Sequence, residues 1–172
     1  MGLAIRLAAP ADAADITAIY NHGIAERRAT FETRPRTVEE VGRWFEDAQR
    51  FPTVVCEHDG RVLGWANLSA YRSRECYAGI AEFSIYVHPD ARGRGVGRAL
   101  LEALVGAART RGYWKLLSRI FTFNTASLSL CRRAGFREVG VYEKHGRLDG
   151  QWLDVVIVER VISDNLTSST AS

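Results

Sequence analysis

The chain has 172 residues, of which 47% are hydrophobic and 25% are charged, as expected for one soluble domain with a sizeable core. The formal net charge of +3 is too small to indicate nucleic acid or a membrane surface as a partner. The three cysteines lack metal-ligand spacing, which argues against both a zinc site and a disulfide framework.

The sequence also bears on location and extent. No stretch is long and apolar enough to predict a membrane-spanning helix, and Asp12 and Asp15 interrupt the region where a signal peptide needs its apolar core. We therefore expect a cytoplasmic protein without a bound metal. We expect one domain over residues 1–163, followed by a flexible tail over residues 164–172.

The first part of the chain predicts a strand and two helices. Residues 4–7 favour a strand, and Pro10 begins a helix with an apolar face. Thr37 and Glu40 have the spacing of a capping box, so we expect a second amphipathic helix that ends before Pro52.

The rest of the chain alternates strands and helices. In order, we predict strands at 53–57 and 62–68 joined by a tight turn at Asp59 and Gly60, a strand at 82–88, a helix from Val96 to Gly112, a strand at 115–122, a helix capped by Asn124 that ends at Gly135, and strands at 136–142 and 152–161. This order indicates a mixed α/β domain built on one sheet.

The most informative segment is residues 88–101, between a predicted strand and a predicted helix. Glycines let a ligand approach the backbone, and the N–H groups at the start of a helix favour an anion. The spacing fits neither GxGxxG nor a Walker loop. We predict a phosphate-binding loop rather than a flexible surface turn, formed by Arg92, Gly93, Arg94, Gly95, Val96, Gly97 and Arg98.

The positions of Arg92, Gly95 and Gly97 resemble the Q/R-x-x-G-x-G/A pyrophosphate loop of the GNAT acetyltransferases, and residues 124–136 resemble that family's second signature. The resemblance implies the GNAT fold, a mostly antiparallel sheet of six to seven strands flanked by about four helices. It also implies acetyl-CoA as co-substrate. Besides the glycine loop, the implied cofactor contacts are Ile85, Tyr86, Val87, Asn124 and Ser127.

A closer resemblance covers nearly the whole chain. Five segments are similar to the phosphinothricin and methionine sulfoximine acetyltransferases, with the arsinothricin-resistance branch nearest: residues 19–24, 29–33, 81–87, 124–128 and 150–155. The resemblance implies detoxification by acetylation of the α-amine of a small glutamate-like or methionine-like amino acid. Several members are homodimers, so we expect a homodimer here.

Glu82 lies at the position that the resembled family uses for the catalytic base. An alkyl amine is mostly protonated at pH 7, so acetyl transfer needs a group that accepts its proton, directly or through a water. The alternative interpretation is a strand glutamate held in a surface salt bridge. The family fold also implies a backbone N–H near Tyr86 or Val87 as donor to the thioester oxygen.

Cys131 stands where the wider superfamily often has a tyrosine that protonates the departing CoA thiolate. We expect this thiolate to leave unassisted, or to be assisted by Tyr142 or a water. Cys131 itself has the pattern of a buried helix residue.

For the acceptor's anionic end we predict Arg72 and Arg74, because a guanidinium binds such groups in a bidentate manner. Tyr77 flanks this pair. Phe31 and Glu32 belong to the loop that borders the acceptor site in the resembled proteins, and the resemblance implies that Glu82 also contacts the acceptor.

Two features leave alternatives open. Asp149 stands where many phosphinothricin acetyltransferases have a histidine, which indicates either a different substrate contact or only a hairpin turn with Gly150. The acceptor is alternatively a protein or antibiotic amine, and a third alternative is a non-catalytic acyl-CoA-binding regulatory domain.

Overall fold

The computed structural model describes residues 2–167, which form one seven-stranded sheet with the strand order β1-β2-β3-β4-β5-β7-β6. This confirms the predicted mixed α/β class and the predicted order of elements. Four α-helices connect or flank the strands in the described part of the chain. The elements are β1 (Ala4–Leu7), α1 (Ala13–Glu26), α2 (Val38–Gly42), β2 (Thr53–His58), β3 (Arg61–Ala70), β4 (Ile80–Val87), α3 (Val96–Thr110), β5 (Lys115–Phe121), α4 (Thr125–Arg133), β6 (Arg137–Leu148) and β7 (Gln151–Val161).

The two faces of the sheet are covered by different helices. Helices α3 and α4 pack on one face, where Leu100, Leu104 and Leu116 are fully buried. Helices α1 and α2 pack on the other face, where Ile16 and Trp65 are buried in a second cluster. Each helix therefore buries one apolar stripe, as the helical spacing predicts.

The second predicted helix begins as expected but is shorter than expected. The Thr37 hydroxyl accepts from the Glu40 backbone N–H at 3.2 Å, and the Glu40 carboxylate accepts from the Thr37 N–H at 2.8 Å. After Gly42 the chain tightens into a 3-10 turn over Arg43–Asp47. This turn packs Trp44 against the second cluster, so tertiary packing overrides the helical pattern there.

The predicted tight turn at Asp59 and Gly60 is confirmed, and of the two interpretations of Asp149 the structure shows the hairpin turn with Gly150. Asp59 and Gly60 have φ values of 50° and 75°, and Asp149 and Gly150 have φ values of 49° and 81°. Positive φ at both central residues is the geometry of a two-residue hairpin turn that matches the twist of the strands. The second turn joins β6 and β7 directly, which makes both strands longer than predicted.

Strands β4 and β5 separate along their length. They are parallel and pair only at Ile80↔Lys115, Ala81↔Leu116 and Glu82↔Leu117. Beyond these pairs β4 continues along β3, and β5 continues along β7. We call the resulting gap, between residues 83–87 and residues 118–121, the splay.

The chain after β7 begins with a 3-10 turn at Ser163–Asn165. The Asn165 amide donates to the carbonyl oxygens of Arg109 and Tyr113 at 2.9 and 2.8 Å. The first residues of the predicted tail at 164–172 are therefore bonded to the domain, whereas residues 168–172 lie outside the described residues.

Candidate functional site

The splay opens into a cleft of about 600 Å³ between β4, β5, α4, β6 and the connection from α1 to α2. Several sequence-predicted residues line this cleft together: Phe31, Glu32, Glu82, Ile85, Tyr86, Asn124 and Ser127. Three further side chains on its walls can carry a positive charge, and none of them was predicted from the sequence: Arg119, His145 and Arg147. The cleft is thus lined by both signs of charge.

Glu82 is the last residue of β4 that pairs with β5, so its side chain lies where the splay begins. Its carboxylate forms an ion pair with the guanidinium of Arg119 on β5. The side chains of Glu82 and Arg119 are 25% and 41% exposed, which leaves both accessible from the cleft. An arginine within β5, directly before the apolar residues Ile120 and Phe121, was the signal that could have identified Arg119.

The splay leaves backbone groups of β4 without partners on β5. The His88 N–H donates to the Leu63 carbonyl on β3 at 2.7 Å. Because N–H groups alternate sides along a strand, the N–H of Tyr86 also faces β3, whereas those of Ile85 and Val87 face the splay. The Ser118 hydroxyl donates to the Phe83 carbonyl at 3.0 Å on this side. Ile85 and Val87 thus offer two backbone donors to a molecule in the splay.

The aromatic ring of Tyr86 packs between the sheet and α1. Its ring stacks on Trp65, with centroids 5.0 Å apart, and a Cβ placed on Gly23 would come within 2.6 Å of it. Burial raises the pKa of Tyr86 well above its usual range. Its phenol therefore stays protonated at physiological pH.

The glycine loop follows β4 at the far end of the splay. Gly95 is the residue before α3 and has φ 81°, and Gly93 has φ 72°. A Cβ at either position would meet no atom within 4 Å, so the space beside the backbone is open. The loop therefore fits an anion at the start of a helix of 15 residues.

The predicted residues of this loop divide into cationic and packing groups. Arg92, Arg94 and Arg98 are all exposed, and Arg98 pairs with Glu102 at 2.9 Å. Arg92 donates to Glu26 of α1 from Nη1 at 3.0 Å and thereby lowers the pKa of that carboxylate. Val96 is buried. Gly97 lies against Leu130 of α4, where a Cβ would approach the Leu130 side chain to 3.1 Å.

Helix α4 forms another wall of the cleft. The Asn124 side chain caps this helix by accepting from the Ser127 N–H at 3.3 Å, and it donates to the Arg28 carbonyl at 3.3 Å. This confirms the predicted cap. Cys131 lies one turn further along, buried but lining the cleft, and burial raises the pKa of its thiol to about 12.

The connection from α1 to α2 forms a further wall of the cleft. The Phe31 ring packs edge-on against Phe121, with centroids 4.8 Å apart. A Cβ on Gly146 of β6 would come within 2.8 Å of the Phe31 ring, so glycine permits this close approach. Glu32 pairs with Arg36 at 2.9 Å.

Other predicted residues lie apart from the cleft lining. Arg72, Arg74 and Tyr77 belong to the exposed connection between β3 and β4, where Arg72 stacks 5.1 Å from the centre of the Tyr71 ring. Tyr142 is 52% exposed on β6. None of these four predicted side chains is among the residues that line the cleft.

Asp149 sits in the β6–β7 turn with positive φ and forms an ion pair with Arg27 at 3.1 Å. This geometry accounts for its presence as a turn residue. Among residues 2–167 there is no cluster of three or more side chains suited to a metal ion. No helix in the same range has the length and apolar character needed to cross a membrane.

Comparisons with known proteins agree with this geometry. The sequence model of the acetyltransferase (GNAT) family matches residues 16–136. The L-methionine sulfoximine/L-methionine sulfone acetyltransferase of Pseudomonas aeruginosa is 35% identical, with 92% of this chain and 94% of the relative covered. The phosphinothricin N-acetyltransferase of Alcaligenes faecalis is also 35% identical, with 92% and 82% covered.

A solved structure is similar over the whole chain. It is a GNAT superfamily phosphinothricin acetyltransferase from Sinorhizobium meliloti in complex with acetyl-CoA. The two chains are 32% identical with a TM-score of 0.91, and the match covers 100% of this chain and 95% of the other. The predicted fold is therefore confirmed by structural similarity as well as by element order.

Proposed function

Because the chain belongs to the GNAT acetyltransferase family, we propose that it moves the acetyl group of acetyl-CoA to the α-amine of a small amino-acid analogue. The observation that carries this proposal is the position of the Glu82 carboxylate at the start of the splay, inside the cleft. The names of the relatives supply the substrate class, phosphinothricin-like or methionine-sulfoximine-like amino acids. Acetylation masks the amine, which fits a role in detoxification or resistance.

Acetyl-CoA would be held by the glycine loop and the splay. The open backbone at Gly93 and Gly95, with Arg94 and Arg98 exposed beside it, suits the pyrophosphate. The N–H groups of Ile85 and Val87 suit the amide and thioester end of the pantetheine arm. Asn124 and Ser127 line the opposite wall.

Glu82 would act as the general base. The acceptor amine loses a proton to this carboxylate, directly or through a water, and its lone pair attacks the thioester carbon. The new C–N bond forms, the C–S bond breaks, and the nitrogen releases its second proton to solvent to give the neutral amide. The CoA sulfur leaves as a thiolate that takes a proton from solvent. The Val87 N–H is the proposed donor to the thioester oxygen as negative charge develops there.

The acceptor would lie between Glu82 and the loop that carries Phe31 and Glu32. Arg72, Arg74 and Tyr77 are not needed for this arrangement, because other charged groups line the cleft. Tyr142 is not needed either, because the thiolate takes its proton from solvent. The two arginines on the cleft walls disfavour a polycationic aminoglycoside acceptor through like-charge repulsion.

We further propose that the protein is a homodimer and works in the cytoplasm. Strand β6 is exposed along most of its length, and Val139, Val141 and Tyr142 on it are each about half exposed. An apolar edge strand of this kind commonly pairs with another chain. The three cysteines are all free thiols, which suits a reducing compartment.

The test of the function is release of free thiol from acetyl-CoA with phosphinothricin, methionine sulfoximine, methionine sulfone, glutamate and an aminoglycoside. We expect turnover of the amino-acid analogues only. Glu82→Gln should lower kcat/KM by about 10²- to 10³-fold without changing acetyl-CoA affinity, since it removes the proton acceptor but keeps the shape.

Glu57→Gln is the matched control, because Glu57 is also a strand glutamate paired with an arginine, Arg6, but lies outside the cleft. It should retain wild-type kinetics. Equal losses in the two variants would remove Glu82 from the mechanism. Tight acetyl-CoA binding without turnover of any amino acid would contradict the proposed substrate class.

A further inference from the structure

The Glu82–Arg119 ion pair has a geometry that a general base alone does not require. The two side chains come from different strands and meet at the mouth of the splay, within the same cleft. A general base needs only to reach the amine, whereas here the guanidinium of Arg119 contacts one oxygen of the Glu82 carboxylate. The position of Arg119 beside the proposed base therefore indicates a second role for this arginine.

Most of the Arg119 guanidinium is free to bind another group. Its contact with Glu82 runs through Nη2, and Nε and Nη1 make no hydrogen bond to any atom of residues 2–167. A guanidinium has five N–H donors in a fixed fork that matches a carboxylate. With 41% of the side chain exposed, these donors are accessible.

The charges of this ion pair mirror those of a free α-amino acid. The ammonium and carboxylate of such a molecule are attached to the same carbon, so they need an anion and a cation in direct contact with one another. Glu82 and Arg119 satisfy that condition, whereas Glu32 is already paired with Arg36. We propose that Arg119 binds the α-carboxylate of the acceptor while Glu82 receives its α-ammonium, so that the ion pair recognises a zwitterion.

Arg147 supplies the third point of this arrangement. It lines the same cleft from β6, stacks 5.3 Å from the centre of the Trp152 ring, and its only hydrogen bond within the described chain is to the Gly150 carbonyl at 3.3 Å. No carboxylate among residues 2–167 neutralises it. Arg147 therefore binds an anionic side-chain terminus, and Arg119 and Arg147 are specificity-determining residues for the amino-acid class of the proposed function, on which this inference rests.

The test uses ligands that differ by one charge each. Phosphinothricin is compared with 3-aminopropyl(methyl)phosphinic acid, and methionine sulfone with 3-(methylsulfonyl)propylamine; the second member of each pair lacks only the α-carboxylate. Dissociation constants are measured by calorimetry in the presence of CoA, which prevents turnover. Wild-type protein should bind each α-amino acid about 10- to 100-fold more tightly than its decarboxylated partner.

Arg119→Gln should reduce this preference to about threefold or less for both pairs, and should leave the affinity for the decarboxylated amines nearly unchanged. Arg119→Lys should keep part of the preference, because it retains the charge but not the fork. Arg147→Gln should keep the preference for the α-carboxylate and lose only the preference for phosphinothricin over methionine sulfone.

Two results would overturn the inference. One is a wild-type protein that does not favour the α-amino acids, which needs no variant. The other is an Arg119→Gln or Arg119→Lys variant that binds CoA normally and loses affinity equally for both members of a pair, which would mean that Arg119 acts only through Glu82. Selective binding without acetylation would instead contradict the proposed function and leave the recognition intact.

Discussion

Cys131 is a cleft residue whose chemistry is set by burial. A thiol with a pKa of about 12 stays protonated and is a weaker acid than the thiol formed from CoA, whose class has a pKa near 8.5. It is therefore a poor proton donor to a departing thiolate, although it lies on the wall of the cleft. This supports its sequence-based interpretation as a packing residue.

We predict that Cys131→Ala changes kcat by less than about threefold, because no proton passes through the thiol. The variant should lose some stability, since a buried side chain is shortened. Steady-state kinetics and a thermal melt separate the two effects. A fall in kcat above about tenfold in a folded variant would make Cys131 part of the chemistry.

At the residue scale, local sequence motifs were enough to predict some residues of the cleft and the glycine loop. Residues that meet only through the pairing register of two strands were missed. Glu82 and the glycine loop carry family signatures, whereas Arg119 meets Glu82 only because parallel β4 and β5 pair at Glu82↔Leu117. That register depends on the whole sheet. Tyr142 was one alternative for protonating the thiolate, but β6 is irregular after this residue, and the Tyr142 ring lies half exposed beside His145.

At the element scale, caps and turns were predictable because their chemistry is local. Thr37 caps α2 as expected, yet the same helix gives way to a 3-10 turn after Gly42. Apolar residues at positions 41, 44, 45 and 48 satisfy both helical periods. Contact of Trp44 with Trp65, with ring centroids 5.2 Å apart, belongs to the tertiary structure and was not visible in the pattern.

The start of α1 offers an element-scale prediction about pH. Asp12 accepts from the Arg6 guanidinium at 2.8 and 2.9 Å and from the Ala9 N–H at 2.7 Å. The Arg6 hydrogen bonds are the main reason that the pKa of Asp12 is lowered, against the opposing effect of burial. A carboxylate with a lowered pKa in the folded state stabilises the fold above its unfolded pKa of about 3.9 and loses this effect as the pH falls.

Asp12→Asn should therefore lower the free energy of unfolding at pH 7 by about 1 to 2 kcal/mol, a figure reduced because Arg6 is partly exposed. The difference from wild type should shrink as the pH falls below about 4. Urea denaturation at pH 7 and pH 3 measures both values. Asp15→Asn, an exposed aspartate of the same turn, is the control; an equal difference at both pH values would contradict the ionic origin.

At the scale of the whole molecule, the two edge strands of the sheet, β1 and β6, provide a test of the proposed dimer. Val141 is 52% exposed on β6, and Leu7 is 54% exposed on β1 at the opposite edge. If β6 forms the proposed dimer contact, Val141→Arg should convert the protein to a monomer, whereas Leu7→Arg should not. Analytical ultracentrifugation measures the oligomeric state of the wild type and of both variants. A monomeric wild-type protein would contradict the proposed dimer.

The sheet order of the whole molecule was beyond sequence reasoning. The predicted elements were correct in order, but adjacent elements along the chain do not specify that β7 lies between β5 and β6. That placement follows from long-range pairing, and it brings His145 and Arg147 to the cleft. The cleft's second arginine was therefore missed for the same reason as its first.

The short ladder between β4 and β5 has a consequence for the thermal stability of the protein. In the strand ladder of residues 2–167, only three residue pairs join the half of the sheet formed by β1 to β4 to the half formed by β5 to β7. A molecule seated in the splay touches both halves, so its binding free energy adds to the free energy of unfolding. At a concentration about 100 times its Kd this gain is about 2.7 kcal/mol. The unfolding temperature of the protein should therefore rise with the concentration of its own co-substrate.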